Sequence, residues 1–390
     1  MYNGWSSRGE ALSIRSEHTL RAENLPFDID VWYPKLEEFT FPSKFLPLSH
    51  EECHAIVQFY QATVNGRGRL TDESADVLQR LESRLDAVLQ THFGSADGEE
   101  GAAAFLRLCG RSPKDGVPLD PAGTFAEYEQ HLSRRRKQNC AEDELSAKLF
   151  AMAETALLRV RSGAEAMSLL LTSERVFTDL HDVLQFGEPE QICLRQWERE
   201  VCILNEFRCF VRGGTLIGIS QFDPHLPLAP LHDLHRADLL ARLHDLWVRV
   251  HPLVGVDSYC IDMVVLPRTA SVRVVEVSPF ARCTGAALFT WDELERMPPP
   301  AATPATPLRL RADTHPAMED LFFLNWEHRW SESLRTHVPY HAHYPAPARR
   351  PWRLADPLGV PLGPAGAACA GVALVVARTV GWGGGVAAAA

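Results

Sequence analysis

Two apolar runs joined by a short turn constrain this chain more than any other feature. YCIDMVVL (259–266) and VRVVEVSPF (272–280) are separated by Pro267-Arg268-Thr269-Ala270-Ser271. Both runs are rich in β-branched residues, and the turn residues between them predict an antiparallel hairpin. A hairpin symmetric about Thr269 sets Leu266 opposite Val272, Val264 opposite Val274 and Asp262 opposite Glu276. Alternation then places Asp262, Val264, Val274 and Glu276 on one face, with Ser278 on the same side. Opposed residues in such a pair have Cβ atoms roughly 4.5–5.5 Å apart. Two carboxylates that close repel one another, and burial screens the repulsion poorly. A raised pKa, a basic partner or a divalent cation would each compensate, and a solvent-facing pair without a ligand is the plainer alternative. Oxygen ligands on two strands suit Mg²⁺, which takes one or two carboxylates and completes its shell with phosphate oxygens and water.

The rest of the chain mixes strands and helices. EFRCFVR and TLIGISQ flank Gly213-Gly214, the signal of a two-residue hairpin loop. ICLRQW and AAAFLRL read as further strands. Residues 71–92 form an amphipathic helix capped by Thr71, with Val77, Leu78, Leu81, Leu85 and Val88 on one face. Other helices are expected over 143–161, 173–186 and 234–250. WYPKLEEFTFPSKFLPLS, from Trp32 on, reads as extended or turn-rich, pinned by Pro34, Pro42 and Pro47. The pattern predicts an α+β (α/β) chain with a polar lead-in over 1–30 and a main domain over 31–297. A Pro-rich linker and accessory segment follows over 298–355, then a Gly/Ala-rich tail over 356–390.

Composition narrows the function. With 390 residues, 46% apolar and 23% charged, the chain has the balance of a folded protein with a sizeable core. A net charge of −11 argues against a nucleic-acid partner. The densest basic run, Arg134 to Lys137, reads as a solvated helix face. Nine cysteines without a CxxC pair predict reduced thiols in the cytoplasm. The opening residues lack an apolar signal region, and the Gly/Ala-rich stretch 359–377, broken by Pro361 and Pro364, predicts no membrane span. The order of a Ser-His-Asp triad, a GxSxG elbow, a Walker loop and zinc spacing are all absent. The His341/His343 pair reads as a chance surface placement.

Several segments, in order, resemble the cell division cycle protein 123 family. They are FLPL (45–48), FLRLCGRSPKD (105–115), SERVFTDL (173–180), CLRQWE (193–198), EFRCFVRGGTLIGISQFD (206–223) and VVEVSPFARCTGAALFTWDEL (274–294). The resemblance implies an ATP-grasp-like fold, two α+β subdomains holding ATP and Mg²⁺ between them. It implies that Arg107, in place of a family Lys, reaches the phosphates with Arg111 and Lys114. Cys193, Leu194, Arg195, Gln196 and Trp197 would form the linker that meets the adenine. Glu206 and Arg208 would lie near the ribose and phosphates. Asp262 and Glu276 fall on the family's metal-binding acids, in agreement with the hairpin argument. Ser278 stands where the family has Asn, and Gly285 stands where many members have Asp.

The implied function is an ATP·Mg-binding chaperone that engages the gamma subunit of translation initiation factor 2 and promotes joining of the alpha subunit. Two alternatives stay open. One is an ATP-grasp ligase that forms an acyl-phosphate, and the other is a degenerate relative with weak nucleotide binding.

Overall fold

A computed structural model describes residues 23–93, 103–120, 158–223, 236–298 and 306–310. Its elements, in chain order, are α1 (Ile29–Leu36), β1 (Ser43–Leu48), α2 (His50–Thr63), α3 (Asp72–Phe93), β2 (Ala104–Leu108) and β3 (Arg159–Val160). They continue with α4 (Gly163–Thr172), α5 (Glu174–Phe186), β4 (Glu190–Gln196), β5 (Glu206–Arg212), β6 (Thr215–Gln221) and α6 (Arg236–Val254). The last are β7 (Tyr259–Val265), β8 (Val272–Pro279), α7 (Trp291–Arg296) and β9 (Leu308–Arg309). The chain is thus mixed α+β with two sheets, ordered β1-β4-β2-β3 and β8-β7-β5-β6-β9. Every pairing is antiparallel except the parallel one between β6 and β9.

The first sheet packs one face on α2 to α5. Val77, Leu78, Leu81, Leu85 and Leu89 of α3 meet Ile192 and Leu194 of β4 and Leu106 and Leu108 of β2 in one buried cluster. α3 begins as its sequence predicts, with the Ser74 amide donating to Thr71 Oγ1. α5 likewise starts at Ser173, whose hydroxyl accepts from the Val176 amide, and stops at the left-handed Gly187. The second sheet packs its opposite face on α6 and α1. Phe207, Cys209, Ile261, Met263 and Val277 there meet Leu239, Leu243, Val250, Ile29 and Trp32. Gly213 and Gly214 form the expected two-residue turn with φ of 54° and 73°, the positive values that match strand twist. No described helix is long and apolar enough to cross a membrane.

Four expectations are corrected. Residues 29–36 are helical rather than extended, with Pro34 inside α1. The apolar face of Ile29, Trp32, Tyr33 and Leu36 is fully sequestered, and that burial outweighs the hydrogen bond lost at Pro34. The helix expected over 143–161 does not reach its end, because Arg159–Val160 pair with β2; residues 143–157 lie outside the described residues. Two helices escaped the reading, α2 and α4, although Ser49 and Glu52 form a full capping box at the start of α2. The hairpin register also differs near its turn. Val265 faces Val272 and Met263 faces Val274, and a bulge that skips Val275 then restores Asp262 opposite Glu276. One extra residue reverses the alternation. Val274 therefore joins the core with Met263, while Glu276 shares the other face with Asp262.

The first sheet's helical layer depends on α3. Leu81→Ala, at a position with 0% exposure, is expected to lower unfolding free energy by about 2–5 kcal/mol, read from urea denaturation.

Candidate functional site

Three strands of the second sheet each place one charged side chain in a single row. Arg208 of β5 is in register with Asp262 of β7, and Asp262 with Glu276 of β8. Phe207 and Cys209 beside Arg208, Ile261 and Met263 beside Asp262, and Val277 beside Glu276 point to the core on the other face. Arg208 holds Asp262 with two parallel bonds, Nε to Oδ1 and Nη2 to Oδ2, both 2.8 Å. This fork on a carboxylate is the strongest geometry available to the pair. Its Nη1 donates to the Gly285 carbonyl at 2.8 Å, and its Cζ lies 4.6 Å from the centre of the Phe222 ring. The backbone at Gly285, rather than a side chain there, is what the site uses. A little further along the same face, Phe210 and Cys260 are buried under Phe289 and Leu294. The open part of the face is therefore confined to the charged row and its approach.

Glu276 is held from the other sheet. Arg107 of β2 donates from Nη2 to Glu276 Oε1 at 2.9 Å and also to the carbonyls of Cys109 and Gly110, while its Nε donates to the Leu108 carbonyl. The arginine side chain is 4% exposed and the glutamate 32%, so the cation is sealed while the acid still meets solvent. Burial alone would raise the Glu276 carboxyl. The charges of Arg107, Lys114 and Arg208 override it and hold the group at about 2. Burial, joined by the Asp262 charge, pushes Glu206 up to about 8. Of the possible compensations for two opposed acids, the structure uses a basic partner for each.

The loop after β2 divides its charges between anchoring and reach. Arg111 pairs with Asp179 of α5, and Asp115 accepts from the Ser173 hydroxyl at 2.6 Å and the Arg175 amide at 3.2 Å. Two segments distant in sequence thus lock together, and Lys114 is left exposed between them. Its ammonium lies 6.0 Å from the Phe222 ring centre and acts electrostatically on Glu206, Asp262 and Glu276. Arg111 is turned toward α5, so of the two loop cations Lys114 alone faces the acids.

Of the residues expected around an adenine, Cys193 and Leu194 sit in mid-sheet with β1 on one side and β2 on the other. The Leu194 side chain enters the first core and Cys193 the second. Arg195 is 4% exposed; it donates to the Val275 carbonyl and to Thr40 Oγ1, both at 2.8 Å. Burial lowers its guanidinium to about 10. Gln196 is exposed, and Trp197 is half-buried with the Arg159 guanidinium 5.6 Å from its ring. Ser278 lies on the same strand face as Glu276, opposite Cys260. Among the described residues no group of three or more His, Cys, Asp or Glu side chains could hold a metal. Two acids and a hydroxyl are what the row offers, a donor set that suits a hard cation completing its shell from a bound ligand. Thr40, Phe222, Asp115 and Asp179 were missed by sequence reasoning. Thr40, Asp115 and Asp179 act on partners 58 or more residues away in sequence, and no local pattern marks them.

Residues 147–327 match the family described as D123. This stretch carries Arg195, Arg208, Asp262, Glu276 and Ser278, while Arg107 and Lys114 precede it. Cell division cycle protein 123 of Eremothecium gossypii is 32% identical over 208 residues, covering 49% of this chain and 56% of that protein. The translation initiation factor eIF2 assembly protein of Lodderomyces elongisporus is 27% identical over 182 residues, covering 39% of this chain and 44% of the relative. The chain thus spans about half the length of these relatives. The solved structure of Cdc123 from Schizosaccharomyces pombe aligns with 73% of this chain and 95% of its own, at 17% identity and a TM-score of 0.47. Over residues 147–327 the chain is therefore similar to the family described as D123, to which its matches with cell division cycle protein 123 also point.

Proposed function

We propose that this chain binds ATP and Mg²⁺ between its two sheets in an ATP-grasp-like manner. It would act as a cytoplasmic assembly chaperone for translation initiation factor 2, engaging the gamma subunit and promoting joining of the alpha subunit. The observation that carries the nucleotide reading is the row Arg208–Asp262–Glu276, completed from the opposite sheet by Arg107. The initiation-factor reading rests on the relatives' names. An acidic surface complements a basic patch on a partner protein.

Asp262 and Glu276 would hold the cation, with Ser278 as a weaker oxygen ligand, and the cation would supply charge neutralisation for the phosphates. Arg107, Arg208 and Lys114 bind phosphate oxygens, Arg208 through the same fork that now grips Asp262. Glu206, neutral at pH 7 because burial pushes it to about 8, adds no negative charge and offers a hydroxyl donor. Because Arg107 comes from one sheet and the acids from the other, a ligand held by both fixes their relative position. A ligand stabilises one arrangement by its differential affinity for it, and that is the chaperone's use of nucleotide.

Calorimetric titration of ATP with and without Mg²⁺ tests the reading. Mg²⁺-dependent binding without hydrolysis on long incubation is expected, together with more alpha–gamma complex formed when the chain and ATP are added to the separate subunits. ATP turnover with an amine or thiol acceptor would instead favour the ligase. Glu276→Gln, which keeps an acceptor for Arg107 but removes its countercharge, is expected to weaken binding in Mg²⁺ by about 10-fold or more and to lower stability as well, by less than Asp262→Ala does. Asp262→Ala is the poorer variant, since it strands a buried Arg208 at a cost of about 3–5 kcal/mol.

Proton linkage gives a second prediction. A carboxyl raised from 4.5 to about 8 is protonated below that pH and becomes an added negative charge above it. ATP affinity in Mg²⁺ is therefore expected to fall roughly fivefold from pH 7 to pH 9, for about 1 kcal/mol of repulsion. Glu206→Gln should flatten that dependence, and an unchanged slope in the variant would remove Glu206 from the site.

A further inference from the structure

The opposition of Asp262 and Glu276 is made by one irregularity in β8. Between the turn and Met263 the hairpin runs in a register where Val265 faces Val272 and Met263 faces Val274. Continued without interruption, that register would set Asp262 against Val275 and Ile261 against Glu276, turning Glu276 onto the core face. The bulge skips Val275 and brings Glu276 back to Asp262 and Val277 back to Ile261. An extra residue leaves part of its backbone outside the ladder, and a buried carbonyl without a donor costs about 1–3 kcal/mol. Something must therefore receive the backbone at Val274 and Val275.

That receiver comes from outside the sheet. Arg195 Nη1 donates to the Val275 carbonyl at 2.8 Å. Its Nη2 donates to Thr40 Oγ1 at 2.8 Å, and the Thr40 hydroxyl donates to the Val274 carbonyl at 2.7 Å. Both bulge carbonyls are thus capped by one continuous unit, with Arg195 4% and Thr40 3% exposed. The arginine lies 5.5 Å from the Phe41 ring and 5.9 Å from the Trp32 ring, which limits its freedom to swing toward a ligand.

We infer that Arg195 and Thr40 are positioning residues, whose grip on the Val274–Val275 bulge sets Glu276 and Ser278 on the same face as Asp262. This rests on the ATP·Mg reading for what the acids bind, but not for the register itself. Arg195 acts through the backbone of β8 and not as a nucleotide contact.

The test pairs a ligand-free readout with a binding readout. In methyl-labelled protein the wild-type register predicts two cross-strand NOEs at once, Met263 to Val274 and Ile261 to Val277. Arg195→Met is expected to lose the Ile261–Val277 contact and to reduce the Mg²⁺-dependent gain in ATP affinity by about 10- to 100-fold, the range for residues that orient metal ligands. Affinity without Mg²⁺ should stay unchanged. Arg195→Lys, which keeps a donor, should restore part of both. Should Arg195→Met fail to fold, Thr40→Val removes only the hydroxyl and is expected to show the same changes in smaller measure. Both NOEs and the full Mg²⁺ gain surviving in Arg195→Met, or in Thr40→Val where that is the folded variant, would overturn the inference and leave Arg195 a packing residue. A wild-type protein without any Mg²⁺ effect would overturn the ATP·Mg reading instead, and the NOE pair would still decide the register.

Discussion

Buried arginine–carboxylate pairing is the constraint on which the rest of this structure depends. Asp262 is 1% exposed, and an ionised carboxylate so placed is tolerable only with a partner of opposite charge and well-formed hydrogen bonds. Arg208 supplies both from the neighbouring strand. Glu276 draws its partner from β2 of the other sheet, so the charge requirement of one sheet is met by the other. The junction between them combines this ion pair with apolar packing, since Cys193 of β4 and Trp32 and Leu36 of α1 share the second core. A junction of this kind is specific in register, since a shift by one residue would strand a charge. It is also weak in net energy, because desolvation of both ions offsets most of their attraction.

The surrounding segments serve that row by being fixed elsewhere. The loop over 111–115 uses its first and last residues to grip α5 and leaves Lys114 projecting. The segment after β8 uses the Gly285 carbonyl to hold the third edge of the Arg208 guanidinium, and Phe289 closes the face beyond it. The loop therefore contributes Lys114 while Arg111 and Asp115 anchor it, and the segment after β8 contributes a backbone carbonyl. That division explains why a basic loop and a serine-led helix stand far apart in sequence yet meet in space.

Much of this was legible in the residues. The turn glycines at 213 and 214, the capped helix over 72–93 and the hairpin over 259–279 all follow from local pattern, since turn chemistry and periodicity act over few residues. The opposition of Asp262 and Glu276 was also foreseen, although by a symmetric register that the bulge replaces. No local signal announces the bulge, because the groups that stabilise it sit 80 and 234 residues away in sequence. The same limit explains α1. Three prolines and scattered apolar residues read as extended chain, and only their packing into the second sheet's core shows why Ile29, Trp32, Tyr33 and Leu36 share one helical face. For Arg195, resemblance pointed to the adenine linker, whereas the guanidinium is committed to the β8 backbone.

The charge balance of the row carries a consequence for any anion that enters. Asp262 and Glu276 are already neutralised by Arg208 and Arg107, and Glu206 is held mostly protonated at neutral pH. A divalent cation arriving alone would have to displace guanidinium groups that are buried and would then lack partners. A phosphate arriving alone would draw the arginines away and leave two acids opposed. Bound together, the cation would be held by the carboxylates and the phosphates by the guanidiniums, with no buried charge left single. On the proposed ATP·Mg²⁺ reading, the charge balance of the row would favour a cation and a polyphosphate bound together over either one alone.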